Sequence, residues 1–439
     1  MATSVVKPCC SSTIERKQEE EDGGNSNLSL LGLPPELLLL ICSYLDSATV
    51  LLSMRLLCRK FNRILSPESM WKGRVMRQQR DLSLPNCLLN HSSFSWKKSC
   101  FHLEKEHNRW SNTDEVSQTS TKDKDAPKLG NCQLLTNGHI ASVDAVHLVQ
   151  DGRLCVSGSR DRSLCLWNVE SLTNVDHGTT TEEMGKGCLV SCQHSAHTGW
   201  IWSLASFGDT LYSGGWDNHV NVWKLTNSEL QKESVLARCE APVLSLSTEP
   251  DLLIAACYDS RVRVFDPRNL SQHVARMNYH RRPVLSLANT TTTSSSSSPY
   301  FFSCGDDQRV YCVDKRTWGV VSERRTQRKP LCLSYAHRQL WLGDSGGRLH
   351  LLDPYSNDLR LVASVHVCNA KVRSIAHNLG CLLTVTADKM LRVFSPGCSP
   401  RKWAEFGPFQ AEGCQIDYQK GVLACGFSDQ NVGIWKQRQ

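Results

Sequence analysis

Two sets of residues have the types a hydrolase would use: His139, Ser157 and Asp161 with Trp167, and His197, Ser213 and Asp217 with Trp223. A serine becomes a nucleophile when a histidine takes its proton and a carboxylate orients that histidine. Two such sets in the same order and at matching spacing, however, are the mark of a repeated structural element. Neither Ser157 nor Ser213 sits in a Gly-rich elbow that would strain and expose it. No catalytic residue is assigned. Cys188, Cys192, His194 and His197 form a second cluster, with side chains of the kind that bind zinc. Their spacing matches no standard zinc module, His197 already belongs to a repeated set, and Cys192 falls where a strand is expected. Neither a metal nor a cofactor is expected.

The repeated element fills most of the chain. From Gly138 onward one template recurs: Gly-His or its remnant, a Val/Leu strand, a turn, a strand of small residues, an Asp, and an aromatic or apolar anchor six residues later. The pairs are Asp161/Trp167, Asp217/Trp223, Asp259/Phe265, Asp307/Val313, Asp388/Phe394 and Asp429/Trp435, and one further unit carries Gly346/Leu352 without the Asp. The anchors recur every 39 to 56 positions, which gives seven units. The two longest steps contain an insertion, Thr173 to Ser191, and a Thr/Ser run, Thr290 to Ser298, both expected to be disordered. This array resembles the WD-repeat family. The resemblance implies four strands per unit and hydrogen bonds among the His, Ser, Asp and Trp of one blade. It also implies a ring whose last blade borrows its outer strand from the start of the array. The chain runs only to Gln439, just past the Trp435 strand, so Cys132 to Thr136 is expected to fill that place and remove an open sheet edge.

Ahead of the array, Leu33-Pro34-Pro35-Glu36 opens a helix, because proline suits a first turn and Glu36 suits its positive end. Asp46-Ser47 punctuates. Val50, Met54, Leu57, Phe61 and Ile64/Leu65 then recur at helical steps, and a third short helix begins at Ser66-Pro67 with Trp71 as its anchor. Leu33-Pro34, Glu36-Leu37-Leu38, Ile41, Tyr44-Leu45-Asp46, Leu57-Cys58-Arg59, Phe61 and Trp71 together resemble an F-box. That resemblance implies docking on a Skp adaptor, and through it on a cullin, by Leu33, Pro34, Leu37, Leu38, Ile41 and Leu45.

The organisation read from the sequence is a disordered tail (1–27), an F-box (28–77), a helical connector (78–110) whose Phe94 to Trp110 stretch is helical, a flexible linker (111–129) and a seven-bladed WD-repeat propeller (130–439). The expected fold is therefore an all-β propeller preceded by a small all-α domain. A net charge of +7 with no dense basic stripe gives no reason to expect nucleic acid. The acidic tract Glu19–Asp22 is unlike a signal peptide, and the longest apolar run, Leu37 to Cys42, is too short for a membrane span. Twenty-one cysteines, many inside apolar strands, read as reduced thiols of a cytoplasmic or nuclear protein.

The position before each repeat Asp holds Arg160, Trp216, Tyr258 and Asp306 in the first four units. Aromatic and arginine side chains on a rigid loop are the types that dominate binding energy. With Trp200, Arg281, Arg282 and Lys371 from neighbouring loops, Arg160, Trp216 and Tyr258 form the expected substrate patch. The arginines suit acidic or phosphorylated side chains, although Asp306 and Asp307 would repel a phosphate. Ala141–Asp144, Ser157–Arg162 and Gly199–Leu204 strengthen the resemblance to F-box/WD-repeat substrate receptors. It implies a non-catalytic subunit of a ubiquitin ligase that binds adaptor and protein substrate; the competing expectation is a scaffold that assembles a complex without degradation.

Overall fold

The computed structural model describes residues 30–79, 82–92, 94–111, 132–173, 188–226, 229–235, 238–289 and 298–436. The expected tail, nearly all of the expected linker, most of the expected insertion and nearly all of the Thr/Ser run lie outside the described residues. The chain divides at Ser66/Pro67 into two compact units.

The first unit is helical. Helix α1 (Pro35–Ser43) begins as the Pro-Pro-Glu start dictates. Asp46 then accepts the Thr49 amide at 3.2 Å, which caps α2 (Ser47–Thr49). A π-helical stretch (Val50–Met54) leads into α3 (Arg55–Leu57), and α4 (Arg59–Leu65) follows. Leu38 and Cys42, one turn apart, are buried, as are Val50, Phe61 and Leu65.

In the second unit, helices α5 (Glu68–Gln78), α6 (Asn86–Leu89) and α7 (Trp96–Ser111) precede seven four-stranded antiparallel sheets. Blades 1 to 7 span 143–193, 201–235, 243–277, 284–325, 330–366, 372–406 and 413–436, and their inner strands meet their neighbours all the way round. Middle strands such as Gln339–Asp344 are buried throughout, whereas outer ones such as Leu361–His366 are largely exposed. Each junction between blades has its own apolar cluster, so the core is a ring of wedges. At five of these junctions a side-chain oxygen also accepts an inner-strand amide of the next blade. Ser203, Ser245, Ser286 and Ser374 accept the amides of Leu246, Leu287, Leu333 and Ile416 at 2.9–3.2 Å, and the Gln415 amide oxygen accepts that of Val146 at 3.3 Å.

The ring closes as expected. Cys132–Leu135 pairs antiparallel with Val432–Lys436 as blade 7's outer strand, and Leu135 enters the cluster shared by blades 7 and 1. Two expectations change. The insertion in blade 1 ends earlier than Ser191, because Leu189–Gln193 is that blade's outer strand. Ser298, assigned to the Thr/Ser run, is buried, and its carbonyl accepts a hydrogen bond from Lys315 at 2.8 Å.

Whether the connector packs on the propeller was not legible in the sequence; it does. Along α7, Ser99, Cys100, Leu103, Glu106 and Trp110 recur on one buried face. The Glu106 carboxylate accepts hydrogen bonds from the Tyr418 hydroxyl of blade 7, from Trp110 Nε1 at 3.2 Å and from Arg109 Nη1 at 3.0 Å. Trp110 joins the cluster between blades 6 and 7. Gly380 of blade 6 lies so near the helix that a Cβ there would stand 2.4 Å from the His102 carbonyl oxygen. Helix α5, which the sequence reading placed in the F-box, packs along α7, and Arg74 forks onto Glu104 at 2.6 and 3.2 Å. Between the two helices, Ser83 accepts the Cys398 amide at 2.7 Å.

Candidate functional site

The hydrolase-like sets are blade fasteners. His139 Nδ1 lies 3.0 Å from Asp161 and Nε2 lies 2.7 Å from Ser157 Oγ, which also accepts the Trp167 indole N–H at 2.7 Å. In blade 2, His197 reaches Asp217 at 2.9 Å and Ser213 at 2.7 Å, and Trp223 donates to Ser213 at 2.8 Å. A carboxylate only accepts, so it places the proton on Nδ1 and leaves Nε2 to accept the serine hydroxyl. Both serines are fully buried. Each carboxylate also accepts two backbone amides, Ile140 and Ser163 on Asp161, Thr198 and His219 on Asp217. These bonds pin the loop that enters one strand to the turn that leaves another.

A third set escaped the sequence reading. His280 lies 3.0 Å from both Asp307 and Ser303, with the Tyr279 hydroxyl 3.2 Å from Ser303 in place of an indole. The Thr/Ser run lengthens the His-to-Asp spacing and hid it. In blade 5 the missing Asp is supplied two residues earlier by Asp344, which accepts the Gly346 and Arg348 amides at 2.8 Å and pairs with His350 at 3.1 Å. Blades 3 and 6 replace the imidazole with a guanidinium: Arg263 on Asp259 at 2.6 Å and Arg392 on Asp388 at 2.7 Å.

Burial pushes the Asp161, Asp217 and Asp307 carboxyls up, but hydrogen bonds from histidine and backbone outweigh it and hold all three below the usual carboxylate range. A depressed folded-state pKa contributes stability that is complete above the unfolded value, about 4, and is lost as pH falls through the folded value. Asp217→Asn is therefore expected to cost about 1–3 kcal/mol at pH 7. Urea midpoints followed downward from pH 6 should fall more steeply below about pH 4 for the wild type than for the variant. Parallel curves would contradict this assignment.

The fasteners hold a ring of loop tips. In each blade the residue before the turn donates its amide to a carbonyl at the start of the inner strand. Arg160, Trp216, Tyr258, Asp306, Ser345, Ala387 and Ser428 donate to Ser142, Trp200, Pro242, Pro283, Lys329, Lys371 and Glu412, all at 2.8–3.0 Å. Two residues past each acceptor in blades 1 and 2, and at the matching place in the other five, a β-bulge leaves Asp144, Trp202, Leu244, Leu285, Leu331, Arg373 and Cys414 without a ladder partner.

On this frame Arg160, Trp200, Trp216 and Tyr258 come together. Trp216 lies 5.7 Å from both Trp200 and Tyr258 and 6.0 Å from Trp202, centroid to centroid. The Arg160 guanidinium sits 5.1 Å from the Trp200 ring and 5.6 Å from that of Trp202, while it forks onto Asp144 at 2.6 and 3.2 Å. Trp200, Trp216 and Tyr258 remain 44, 36 and 51% exposed, a run of open aromatic surface across blades 2 and 3. A concavity of about 570 Å³ is lined by Arg160, Arg162, Thr198, Gly199, Trp200 and Trp216. Gly199 is required there, because a Cβ would stand 2.6 Å from the Asp217 amide nitrogen.

The other expected residues lie outside the run. Arg281 and Arg282 are exposed at the start of blade 4, where Arg282 pairs with Asp306 at 3.4 Å, and Lys371 is exposed on blade 6. Asp144, Arg162 and Trp202 were missed. The recurring bulge position is the signal that points to Asp144 and Trp202.

In the helical unit, Leu37 and Ile41 of the expected docking set are exposed, as is Pro34, and Leu33 and Leu45 are half-buried. Leu38 is corrected to an interior residue at 1% exposure. Leu40, Tyr44, Leu52, Leu56 and Leu57, absent from that set, are exposed as well.

Comparison with known proteins agrees with both halves. The F-box-like family model matches residues 30–77, and the WD domain, G-beta repeat model matches 130–168 and 188–224. The chain is 33% identical to F-box/WD repeat-containing protein 9 of Homo sapiens across 86% of its own length and 76% of the relative. To the F-box/WD repeat-containing protein mec-15 of Caenorhabditis elegans it is 29% identical, over 92% of this chain and 95% of that one. The WD40 β-propeller domain of Doa1 superposes with a TM-score of 0.55 at 20% identity, covering 70% of this chain and 97% of that domain, a likeness of fold. With a helical module of the F-box pattern ahead of a closed seven-bladed ring, and relatives matched over most of their length, the chain belongs to the F-box/WD-repeat protein family.

Proposed function

We propose that this protein is the substrate receptor of a Skp–cullin–F-box ubiquitin ligase in the cytoplasm or nucleus. Its helical unit grips a Skp-type adaptor, and its propeller holds a protein client for ubiquitin transfer by other subunits. The observation that carries the reading is the apolar surface of the helical unit, where Leu37, Leu40, Ile41, Tyr44, Leu52, Leu56 and Leu57 are 36–84% exposed within one short segment. Exposed apolar side chains at that density mark a protein–protein contact. The chain itself contributes proximity rather than chemistry, because the His/Ser/Asp sets are consumed in holding blades together. The cysteines among the described residues are free thiols, which fits a reducing compartment.

Capture of the full chain from cells beside Leu37→Asp with Ile41→Asp tests the proposal. Both positions are exposed, so the fold should survive, while an unpaired charge at each contact should reduce recovery of adaptor and cullin at least about tenfold. Clients of the propeller should stay bound in both. Adaptor recovered equally by the variant would sink the reading, and client half-lives unchanged after depletion of the chain would favour a scaffold that assembles without degradation.

A further inference from the structure

Blade 1 contains a cysteine pair that the adaptor role does not use. Cys165, on the strand Leu164–Asn168, and Cys192, on the strand Leu189–Gln193, are directly opposite in the antiparallel ladder, and their sulfurs are 3.0 Å apart. Opposite residues in such a ladder have Cα atoms about 4.5–5.5 Å apart, inside the range a disulfide spans, so bonding the two sulfurs needs no backbone movement. At the matching ladder position the other blades hold Asn221/Val235, Arg263/Arg276, Tyr311/Glu323, His350/Ser364, Arg392/Glu405 and Gly433/Leu134. The pair is peculiar to blade 1.

The two thiols differ in setting. Cys165 is fully buried and lies 3.2 Å from the Gly138 carbonyl, whereas Cys192 is half-buried, with His194 Nδ1 at 3.8 Å. The hydrogen bond from the Cys165 thiol lowers the Cys192 pKa despite burial, aided by His194 and His139 nearby, and the same bond raises that of Cys165. The half-buried sulfur is therefore the one that ionises, and the buried one keeps its proton. Cys257 and Cys239 share a similar hydrogen bond, but both are fully buried.

We infer that Cys192 is a peroxide-reactive thiol and Cys165 its resolving partner, so that oxidation closes a reversible cross-strand disulfide in blade 1. The Cys192 thiolate attacks a hydroperoxide, the O–O bond breaks, and an alcohol or water departs after taking a proton, leaving a sulfenic acid on Cys192. The Cys165 sulfur then attacks the Cys192 sulfur. The S–O bond breaks, and hydroxide leaves as water with the Cys165 proton. Two electrons pass from the thiol pair to the peroxide, and a dithiol reductant returns them by exchange.

The test uses the full, reduced chain. After a brief dose of hydrogen peroxide and alkylation, peptide mapping should show Cys165–Cys192 as the principal disulfide, reversed by a dithiol. Before oxidation, iodoacetamide at pH 7 should modify Cys192 at least about tenfold faster than Cys398, a half-buried thiol whose pKa burial raises. In Cys165→Ala, Cys192 should stop at a sulfenic acid that dimedone traps. Because the first two measurements use the unmutated chain, a folding defect in that variant cannot obscure the answer. Cys192 alkylated no faster than Cys398, or a principal disulfide joining other cysteines, overturns the inference.

Discussion

Replacing Trp216 and Tyr258 together with alanine is expected to weaken client binding about a thousandfold while the ring stays folded. Trp216 is the hub of the aromatic run, within 6.0 Å of Trp200, Trp202 and Tyr258. A buried aromatic anchor at an interface is worth about 2 kcal/mol or more, and two of them give roughly 4 kcal/mol, or three powers of ten. The rings touch each other, so single variants should each lose about thirtyfold, and their product should depart from the double-variant loss by the coupling between them. Both side chains are more than a third exposed in the free protein, which limits the stability cost. Titration of a captured client against the purified variants reads the loss, and unchanged affinity would remove the face of blades 2 and 3 from the binding surface. Phosphate recognition through Arg160 is disfavoured by the structure, because Asp144 already occupies its guanidinium fork.

The largest stability effect is expected at the seam. Deleting Cys132–Leu135 removes a four-residue ladder from Val432–Lys436 and takes Leu135 out of the cluster it shares with Val143, Trp167 and Ile434. The loss of the Leu135 side chain alone is worth about 2–5 kcal/mol, a large part of the total stability of an ordinary domain. The strand Val432–Lys436 would also become an unpaired edge inviting association between molecules. The expected result is a chain that unfolds at markedly lower urea and elutes as aggregate in size-exclusion chromatography. A monomer of wild-type stability would show that the seam is dispensable.

The parts of this architecture that were legible in the sequence are those governed by local spacing. An Asp six residues before an apolar anchor fixes a tight turn between two strands, and counting the six such pairs with the Gly346/Leu352 unit gives the seven blades. The outer strand of the last blade was read at Cys132 to Thr136, and Cys132–Leu135 takes that place beside Val432–Lys436. What the sequence concealed depends on partners remote along the chain or on shifted spacing. Helix α7 shows its amphipathic face, yet nothing local says that Glu106 meets Tyr418 or that His102 passes over Gly380. The His280 set was hidden by an insertion, and Asp344 by a displacement of two residues. Among the residues of the candidate patch, Trp216 and Tyr258 stood out at repeated loop tips, whereas Trp202 and Asp144 depend on a bulge that no propensity announces. Leu38 was misplaced because a leucine-rich helix does not reveal which leucines face inward.

The seam also sets an order in time. Cys132–Leu135 leaves the ribosome nearly 300 residues before Val432–Lys436, the strand it must pair with. At about 5–20 residues per second, that is roughly 15–60 s of synthesis during which a four-residue strand has no mate and blade 1 has one bare flank. Translation rate and holdase chaperones are thus expected to govern the yield of this protein more strongly than that of a domain that finishes its contacts as it emerges, and slowing synthesis of the last blade should lower the soluble fraction.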